Sequence, residues 1–302
     1  MKKYYLYSTG LSILVITLII TLSFAPLNDN KKVIHFLSTS GELTSTIKIP
    51  DYKESLKILQ ITDSHISITD PNDADMVKYG GQIHKTYASP RKHFARDTSE
   101  TTIQYFDDIL LKAKNQNVNL LLLTGDIVNF PSAASVKYVY DKLVKTGIPW
   151  LYTAGNHDWR YEGMPGNIDS LKDIWTKKSL LPFYAGHNPL FYSAIIQGIN
   201  FVAIDNSTGA VNEEQIRFLQ DQLTKPEPII LISHIPYSLS NIPKNSGMTA
   251  ITELKSSNSD KITAIFSGHE HKFSFCFTGN LCQYTTMAAF QGASFVVNIR
   301  GK

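Results

Sequence analysis

The chain has 302 residues, of which 43% are hydrophobic and 11% aromatic, and its formal net charge is +3. That length suffices for one large domain with a buried core, and this hydrophobicity at low charge excludes an intrinsically disordered protein. Basic and acidic residues nearly balance, 29 against 26, with no basic block, so no nucleic-acid polymer is expected as a partner. Two cysteines are too few for a disulfide scaffold.

The first 27 residues are predicted to form an apolar helix that directs export. No charged residue occurs from Tyr4 to Leu27, and two lysines precede this stretch, as in a signal peptide or an N-terminal membrane anchor. Ser23-Phe24-Ala25 would be the cleavage site of a signal peptide, although Pro26 directly after it is unfavourable. Cleavage and retention in the membrane both stay open. In either case we expect residues 28–302 outside the cytoplasm, periplasmic, secreted or membrane-anchored.

The rest of the chain alternates predicted strands with predicted helices. Residues 28–55 are interpreted as a tether or an outer strand, Leu56–Ile61 as a buried strand, and the polar stretch 66–98 as an insertion loop. The other predicted helices are Thr101–Asn115, Ser132–Thr146 and Glu213–Leu223. The other predicted strands are Asn119–Leu123, Pro149–Thr153, Phe191–Ile196, Asn200–Ile204, Ile229–Ile232, Ile262–Phe266, Phe273–Phe277, Gln283–Thr286 and Ser294–Ile299.

This alternation indicates an α/β layered fold with a β-rich C-terminal part. We expect residues 56–302 to form one domain. In such folds, ligands bind beyond the carboxyl ends of the strands, so the residues that follow each predicted strand are the first candidates for a functional site.

Five predicted strands are each followed by Asp, Asn or His. The five segments are Asp63-Ser64-His65, Gly125-Asp126, Gly155-Asn156-His157-Asp158, Ser233-His234 and Gly268-His269-Glu270-His271. Each motif alone is weak, because Gly-Asp and Gly-Asn are common turns and a single His is usually structural. Together they place seven nitrogen and oxygen donors at one edge of the core. Such a set suits divalent Mn, Fe or Zn, with one carboxylate able to bridge two ions.

The five segments, in this order, resemble the signature of the calcineurin-like metallophosphoesterases, over about Leu56 to Ile299. The resemblance implies a four-layer αββα sandwich of two mixed β-sheets and two divalent metal ions. It implies that one ion is held by Asp63, His65 and His271, the other by Asn156, His234 and His269, with Asp126 as the bridging ligand.

The same resemblance implies a hydrolase of small phosphomonoesters or phosphodiesters. His157 would face the substrate as the general acid or as an electrostatic stabiliser, and Asp158 would orient it and favour its protonated form. Two cations would lower the pKa of a shared water, so that hydroxide attacks phosphorus near neutral pH.

Asn129 indicates which branch of the family the sequence resembles. It stands three residues after Asp126, where purple acid phosphatases are expected to have Tyr. With Asn129 at that position and with His65 present, the sequence is similar to the Asp-x-His branch, which includes class III cyclic-nucleotide and glycerophosphodiester phosphodiesterases. Asn129, Trp159 and Arg160 are the candidate substrate-binding residues; a packing cluster is the alternative for Trp159 and Arg160.

Cys276 and Cys282 are predicted to form a disulfide. The cysteines flank a turn-like segment with Gly-Asn at its centre, so a short hairpin could bring them together as a disulfide in an oxidising compartment.

The alternative to an enzyme is a catalytically silent, membrane-attached binding or scaffold protein of the same fold. Loss of metal ligands would favour that alternative. The sequence does not indicate an oligomeric state.

Overall fold

The computed structural model describes residues 37–39, 42–68, 91–92, 99–160, 164–237, 247–278 and 281–301. The predicted export segment and most of the predicted insertion loop, 66–98, lie outside these residues. Within the described ranges, no helix combines the length and the apolar character that crossing a membrane requires.

Two mixed six-stranded sheets form the centre of the fold. The strands of the first sheet, in spatial order, are β1 (Leu37–Thr39), β2 (Glu42–Ile49), β14 (Ser294–Gly301), β3 (Ser55–Ile61), β6 (Leu120–Thr124) and β7 (Trp150–Thr153). Those of the second sheet are β12 (Ser274–Thr278), β13 (Leu281–Thr285), β11 (Ile262–Ser267), β10 (Ile229–Ile232), β9 (Ile199–Ile204) and β8 (Phe191–Ile196). β4 (Arg91–Lys92) and β5 (Ser99–Glu100) form a separate antiparallel pair.

Each sheet contains a parallel run that sets the position of the site. β3, β6 and β7 are parallel neighbours in the first sheet. β9, β10, β11 and β13 are parallel neighbours in the second. The carboxyl ends of a parallel run lie at one edge of its sheet, so the residues after these strands are collected on one side of the sandwich.

Four of the described helices begin at polar capping residues. The helices are α1 (Thr102–Asn115), α2 (Ala133–Thr146), α3 (Asn156–Trp159), α4 (Ile168–Trp175), a π-helix (Thr176–Leu180), α5 (Leu181–Tyr184), α6 (Glu213–Leu223), α7 (Met248–Ser257) and a 3-10 turn (Ala289–Gln291). Thr101 and Asn212 form capping boxes at the starts of α1 and α6, and the side chain of Ser132 caps α2. These side chains accept hydrogen bonds from backbone N–H groups that have no partner inside the helix.

Alternation along the strands produces the four layers. On β10, Ile230 and Ile232 lie in the core between the sheets, whereas Ile229 and Leu231 belong to a second apolar cluster that includes α6 and α7. Neighbouring residues on a strand face opposite sides of a sheet, so the second sheet has one face on the first sheet and the other on these helices. α1 and α2 pack with the first sheet. The predicted αββα sandwich of mixed sheets is confirmed.

The three predicted helices are present within one residue of their predicted bounds. Six other helical segments of the described residues were not predicted: α3, α4, the π-helix, α5, α7 and the 3-10 turn. α4 has apolar residues at helical spacing, Ile168, Leu171 and Trp175, but it spans only eight residues, which is shorter than the window a periodicity prediction needs. α5 spans only four residues, a single turn.

The predicted disulfide between Cys276 and Cys282 is wrong. Cys282 is a buried thiol that is not disulfide-bonded. β12 and β13 pair with Cys276 opposite Gln283, and with Cys282 opposite Phe277. Because consecutive positions on a strand alternate between faces, this one-residue offset does not set the two cysteine positions opposite each other.

Candidate metal centre

The loops after the parallel strands of the two sheets meet and are hydrogen-bonded to one another. The Asp63 N–H donates to the Gly125 carbonyl at 2.9 Å, and the Gly268 N–H donates to the His234 carbonyl at 2.9 Å. The His269 N–H donates to Oδ2 of Asp63 at 3.0 Å and so joins the second sheet to the first. The His157 N–H donates to Oδ1 of Asp126 at 2.8 Å, so all five predicted motifs belong to one site.

Several residues of the site have an uncommon backbone conformation. Nine described residues other than glycine have a positive φ, and the five at the site are Asp63 (52°), His65 (47°), Asp126 (51°), His269 (72°) and His271 (52°). This left-handed conformation is unfavourable for residues with a Cβ and persists where the surrounding structure enforces it, often at functional sites. All five are predicted metal ligands.

Asp63, His65 and His271 form the first group of donors. The Nε2 atom of His271 lies 3.2 Å from Oδ1 of Asp63 and 3.3 Å from Nε2 of His65. Two ligands each about 2.1 Å from one ion are about 3.0 to 3.4 Å apart in tetrahedral or octahedral geometry. These two distances therefore fit one divalent ion, and the third, between Nε2 of His65 and Oδ1 of Asp63, is longer at 3.9 Å.

Asp126, His234 and His269 form the second group. The Nε2 atom of His234 lies 3.3 Å from Oδ2 of Asp126 and 3.2 Å from Nδ1 of His269. The Nδ1 atom of His234 is 2.9 Å from the Thr124 carbonyl, to which it donates, so Nε2 is the atom directed at the other two donors. These two distances match the two shorter distances of the first group.

Asp126 lies between the two groups. Its Oδ2 atom is 3.3 Å from Nε2 of His234 and 3.8 Å from Nε2 of His65. Its Oδ1 atom accepts the backbone N–H of His157 at 2.8 Å, which holds the carboxylate in this orientation. His65, Asp126 and His157 also form a third group of donor atoms that lie within 4.8 Å of one another.

Asn156 provides an independent indication that the site suits a metal. Its Oδ1 atom is buried and has no hydrogen-bond partner among the described residues. Leaving a buried carbonyl oxygen without a partner is unfavourable, and a cation would satisfy it. Imidazole nitrogens, carboxylates and an amide oxygen together match the ligand preferences of divalent Mn, Fe or Zn.

Two glycines allow neighbouring loops of the site to approach each other closely. A Cβ on Gly155 would overlap Oδ1 and the backbone nitrogen of Asp126, and a Cβ on Gly268 would overlap Oγ1 of Thr62. The Gly-Asn and Gly-His motifs therefore reflect contact between loops at the site.

The protonation states of the donors are set by burial and by their mutual charges. Burial lowers the pKa of His65 to about 3, so its imidazole is neutral and available to a metal. Burial acts in the same direction on His234, but the charge of Asp126 outweighs it and raises the pKa of His234 to about 10. Burial favours the neutral carboxylic acids, yet the neighbouring histidines lower the pKa of both Asp63 and Asp126.

His157 lies beside the donors, but the predicted contact between His157 and Asp158 is absent. The His157 ring meets the His65 ring edge-on at 4.8 Å, and its buried Nδ1 has no partner among the described residues. The Asp158 carboxylate instead accepts the N–H groups of Gly155 at 2.7 Å and Val128 at 2.9 Å. Burial and the charge of Asp126 raise the pKa of Asp158 to about 7. Asp158 therefore joins two loops and does not orient His157.

The three candidate substrate-binding residues occupy different places. Asn129 is fully buried, and its Oδ1 atom lies 3.1 Å from Nδ1 of His65. It therefore contacts this predicted ligand at the ring nitrogen that does not face His271. Trp159 is buried, and its Nε1–H donates to Oγ of Ser207 at 3.0 Å, in agreement with the packing alternative. Only Arg160 is partly exposed, with its guanidinium 5.5 Å from the Trp159 ring, and its role stays a prediction.

Asn206 and Phe290 belong to the site and were not predicted. The carboxamide of Asn206 bonds the His234 loop, and the Phe290 ring contacts both His65 and His271 at 5.5 and 5.0 Å. Asn206 follows the apolar strand β9, so the strand-end rule would have identified it. Phe290 lies in the 3-10 turn before β14, and no sequence signal marks it.

The sequence of the chain matches a known protein family. Residues 56–273 match the family described as calcineurin-like phosphoesterase. A "probable cyclic nucleotide phosphodiesterase" from Moraxella catarrhalis is 37% identical over 162 residues, which are 49% of this chain and 56% of that protein. Another so named, from Fibrobacter succinogenes, is 23% identical over 234 residues, 72% of this chain and 74% of that protein. The matched part of the chain thus spans about half the length of the Moraxella protein.

Solved structures share the fold. A dimetal phosphatase from Danio rerio matches with a TM-score of 0.51 and 13% identity, over 78% of this chain and 88% of that one. A purple acid phosphatase from yellow lupin seeds also gives a TM-score of 0.51, at 11% identity, over 81% of this chain and 46% of that one.

Proposed function

This chain belongs to the calcineurin-like phosphoesterase family, and on that premise we propose that it is a metal-dependent hydrolase of small phosphodiesters. The observation that carries the proposal is the position of Asp126. Its Oδ2 atom lies between the Nε2 atoms of His65 and His234, at 3.8 and 3.3 Å. A carboxylate in this position is suited to join two cations, one in each group of donors.

The proposed centre holds two divalent ions, and the donor types suit Mn, Fe or Zn. One ion would be bound by Asp63, His65 and His271, the other by Asn156, His234 and His269, with Asp126 shared between them. The spacing within each group and the buried oxygen of Asn156 support this assignment.

When bound, such ions activate water as a nucleophile and neutralise charge on the phosphoryl group. Residues of the chain would supply the remaining functions. We assign His157 as the donor of a proton to the leaving oxygen, because its ring is next to the donors and half-buried. The backbone N–H of His157 bonds to Asp126, so the proton donor keeps a constant place relative to the metal ligands.

Three observations support a small diester as the substrate. The curated relatives carry the name probable cyclic nucleotide phosphodiesterase. The site is open on the side of His269, which is exposed, and of His271, whose side chain is 31% exposed. The nearly balanced charge of the chain, 29 basic against 26 acidic residues, favours small esters over long polyanions.

Export is a further part of the proposal. The uncharged segment from Tyr4 to Leu27 behind two lysines supports a location of the domain outside the cytoplasm, with a membrane attachment if the segment is retained. Mass spectrometry of the mature N-terminus, with the cell fractionated into membrane and soluble parts, would separate cleavage from retention. A full-length chain found only in the cytosol would contradict export.

A panel of phosphoesters tests the activity. The full-length chain would be assayed with bis-p-nitrophenyl phosphate, p-nitrophenyl phosphate and cyclic AMP, each with Mn²⁺, Fe²⁺ or Zn²⁺. We expect the diesters to be cleaved faster than the monoester. His157→Ala should keep its metal and lose about 100-fold or more in kcat, the usual contribution of a general acid. Metal-saturated protein that cleaves none of these esters would overturn the proposal.

A further inference from the structure

His234 is held at three points, each by a different strand or loop. Its Nδ1 atom donates to the Thr124 carbonyl at the end of β6, at 2.9 Å. Its carbonyl accepts the N–H of Gly268, after β11, at 2.9 Å. Its backbone N–H donates to Oδ1 of Asn206, after β9, at 3.1 Å. The first two partners are backbone groups, so Asn206 is the contact that a substitution can remove.

The carboxamide of Asn206 also bonds the next residue. Its Oδ1 atom accepts the N–H of Ile235 at 2.9 Å, and its Nδ2 atom donates to the Ile235 carbonyl at 2.7 Å. Asn206 is fully buried, so water does not replace these bonds when they are lost. One side chain thereby binds three backbone groups of the His234 loop.

We propose that Asn206 is a positioning residue for the metal site formed by Asp126, His234 and His269. The inference rests on the proposed function, since it concerns the metal that the function needs. The Nε2 atom of His234 must stay 3.3 Å from Oδ2 of Asp126 and 3.2 Å from Nδ1 of His269 to share an ion with them. The Thr124 contact restrains rotation of the ring, and Asn206 sets where the backbone that carries the ring lies.

The size of the effect follows from how such partners act in metal sites. Residues that orient a metal ligand change metal affinity by about 10- to 100-fold when they are removed. Asn206 makes no predicted contact with an ion, so its loss should weaken one of the two sites and leave the group of Asp63, His65 and His271 able to bind.

Asn200 provides a matched control. It is an asparagine on β9, the strand that precedes Asn206; it is also fully buried, and its Nδ2 atom donates to Oε1 of Gln222 at 3.1 Å. It lies at the opposite end of the strand from Asn206. Asn200→Ala therefore removes a buried side-chain hydrogen bond from β9 without touching the His234 loop.

Equilibrium dialysis against Mn²⁺ tests the inference, with full-length wild-type chain and with the Asn206→Ala, Asn206→Asp and Asn200→Ala variants. We expect Asn206→Ala to bind one of two Mn²⁺ ions about 10- to 100-fold more weakly, and its hydrolysis of bis-p-nitrophenyl phosphate to recover with excess Mn²⁺. Asn206→Asp keeps the oxygen that accepts both N–H groups and should retain more affinity than Asn206→Ala. It also serves as the test variant if the alanine variant does not fold. Asn200→Ala should bind Mn²⁺ like the wild type.

The outcomes separate this inference from the proposed function. Equal Mn²⁺ affinities for wild type and both Asn206 variants, or equal losses in Asn206→Ala and Asn200→Ala, would overturn the positioning role alone. A wild-type chain that binds no Mn²⁺, Fe²⁺ or Zn²⁺ would overturn the proposed function and this inference with it.

Discussion

The side-chain oxygen of Asn129 lies 3.1 Å from Nδ1 of His65, on the buried side of the metal centre. Burial lowers the pKa of His65 to about 3, so the ring is neutral and only one of its nitrogens carries a proton. Because Oδ1 of Asn129 accepts a hydrogen bond, that proton belongs on Nδ1. Nε2, which faces His271 at 3.3 Å, then has its lone pair directed at the metal position.

Replacement of Asn129 should therefore weaken metal binding without changing a ligand. Asn129→Ala is expected to lower Mn²⁺ affinity at the site of Asp63, His65 and His271 by about 10- to 100-fold. Asn129→Asp retains an acceptor for the Nδ1 proton and should stay near the wild type. Isothermal titration with Mn²⁺ measures both. Wild-type affinity in Asn129→Ala would show that the hydrogen bond does not control His65.

Metal affinity should increase with pH over the neutral range. In the metal-free chain the pKa of His234 is raised to about 10, so below that pH its imidazole is protonated and must lose a proton to bind a metal. One displaced proton gives an increase in affinity of about tenfold per pH unit. Titrations at pH 6.5, 7.5 and 8.5 measure the slope.

A chain that lacks His234 is the control for this pH dependence. His234→Ala retains Asp63, His65 and His271, and the pKa of His65 is already near 3. Its remaining site should therefore show a shallower slope than the wild type. A slope near zero in the wild type would mean that His234 binds metal without releasing a proton.

Asp158 should contribute to stability. Its carboxylate accepts the buried N–H groups of Val128 and Gly155. Removing it leaves two buried donors without partners, at about 1 to 3 kcal/mol each. Asp158→Ala should thus lower the free energy of unfolding in urea by about 2 to 6 kcal/mol, and Asp158→Asn, which keeps one acceptor, should lose less. Full stability combined with an altered pH profile of kcat would instead restore the role of orienting His157.

Gly155 should not tolerate a methyl group. A Cβ there would overlap the Asp126 carboxylate and displace the residue that is proposed to bridge the two groups of donors. Gly155→Ala is expected to lose binding of both Mn²⁺ ions in equilibrium dialysis. Gly198→Ala is the control, because Gly198 has a φ of +72° but nothing within 4 Å of the added carbon, so it should cost about 1 to 2 kcal/mol of stability with unchanged metal binding.

The predicted ligands could be found from the sequence because each follows an apolar strand. Asp63, Asp126 and His234 come directly after runs such as Leu120–Thr124 that bury completely, and parallel strands direct their carboxyl ends to one edge of a sheet. The two-sheet sandwich was implied by the family resemblance, whereas the individual strands, the three predicted helices and the seven donor positions depend on these local patterns. The sequence therefore predicts them.

Roles that depend on distance between loops could not be predicted. Asp158 adjoins His157 in sequence, but its carboxylate bonds the Val128 loop 30 residues away. Asn129 was expected to meet the substrate, yet it is fully buried behind His65. In both cases the side chain binds a loop partner that only tertiary packing brings near, and residue type and spacing hold no information about that partner.

The most direct test of the proposed centre is Asp126, since its carboxylate is proposed to bridge the two groups of donors. Metal-stripped full-length chain would be titrated with Mn²⁺, and bound metal and hydrolysis of bis-p-nitrophenyl phosphate would be measured in the same samples. We predict two ions bound per chain, activity that appears as the ions bind, and loss of both ions and of activity in Asp126→Ala. Asp126→Ala that still binds two ions and cleaves the diester at the wild-type rate would contradict the account.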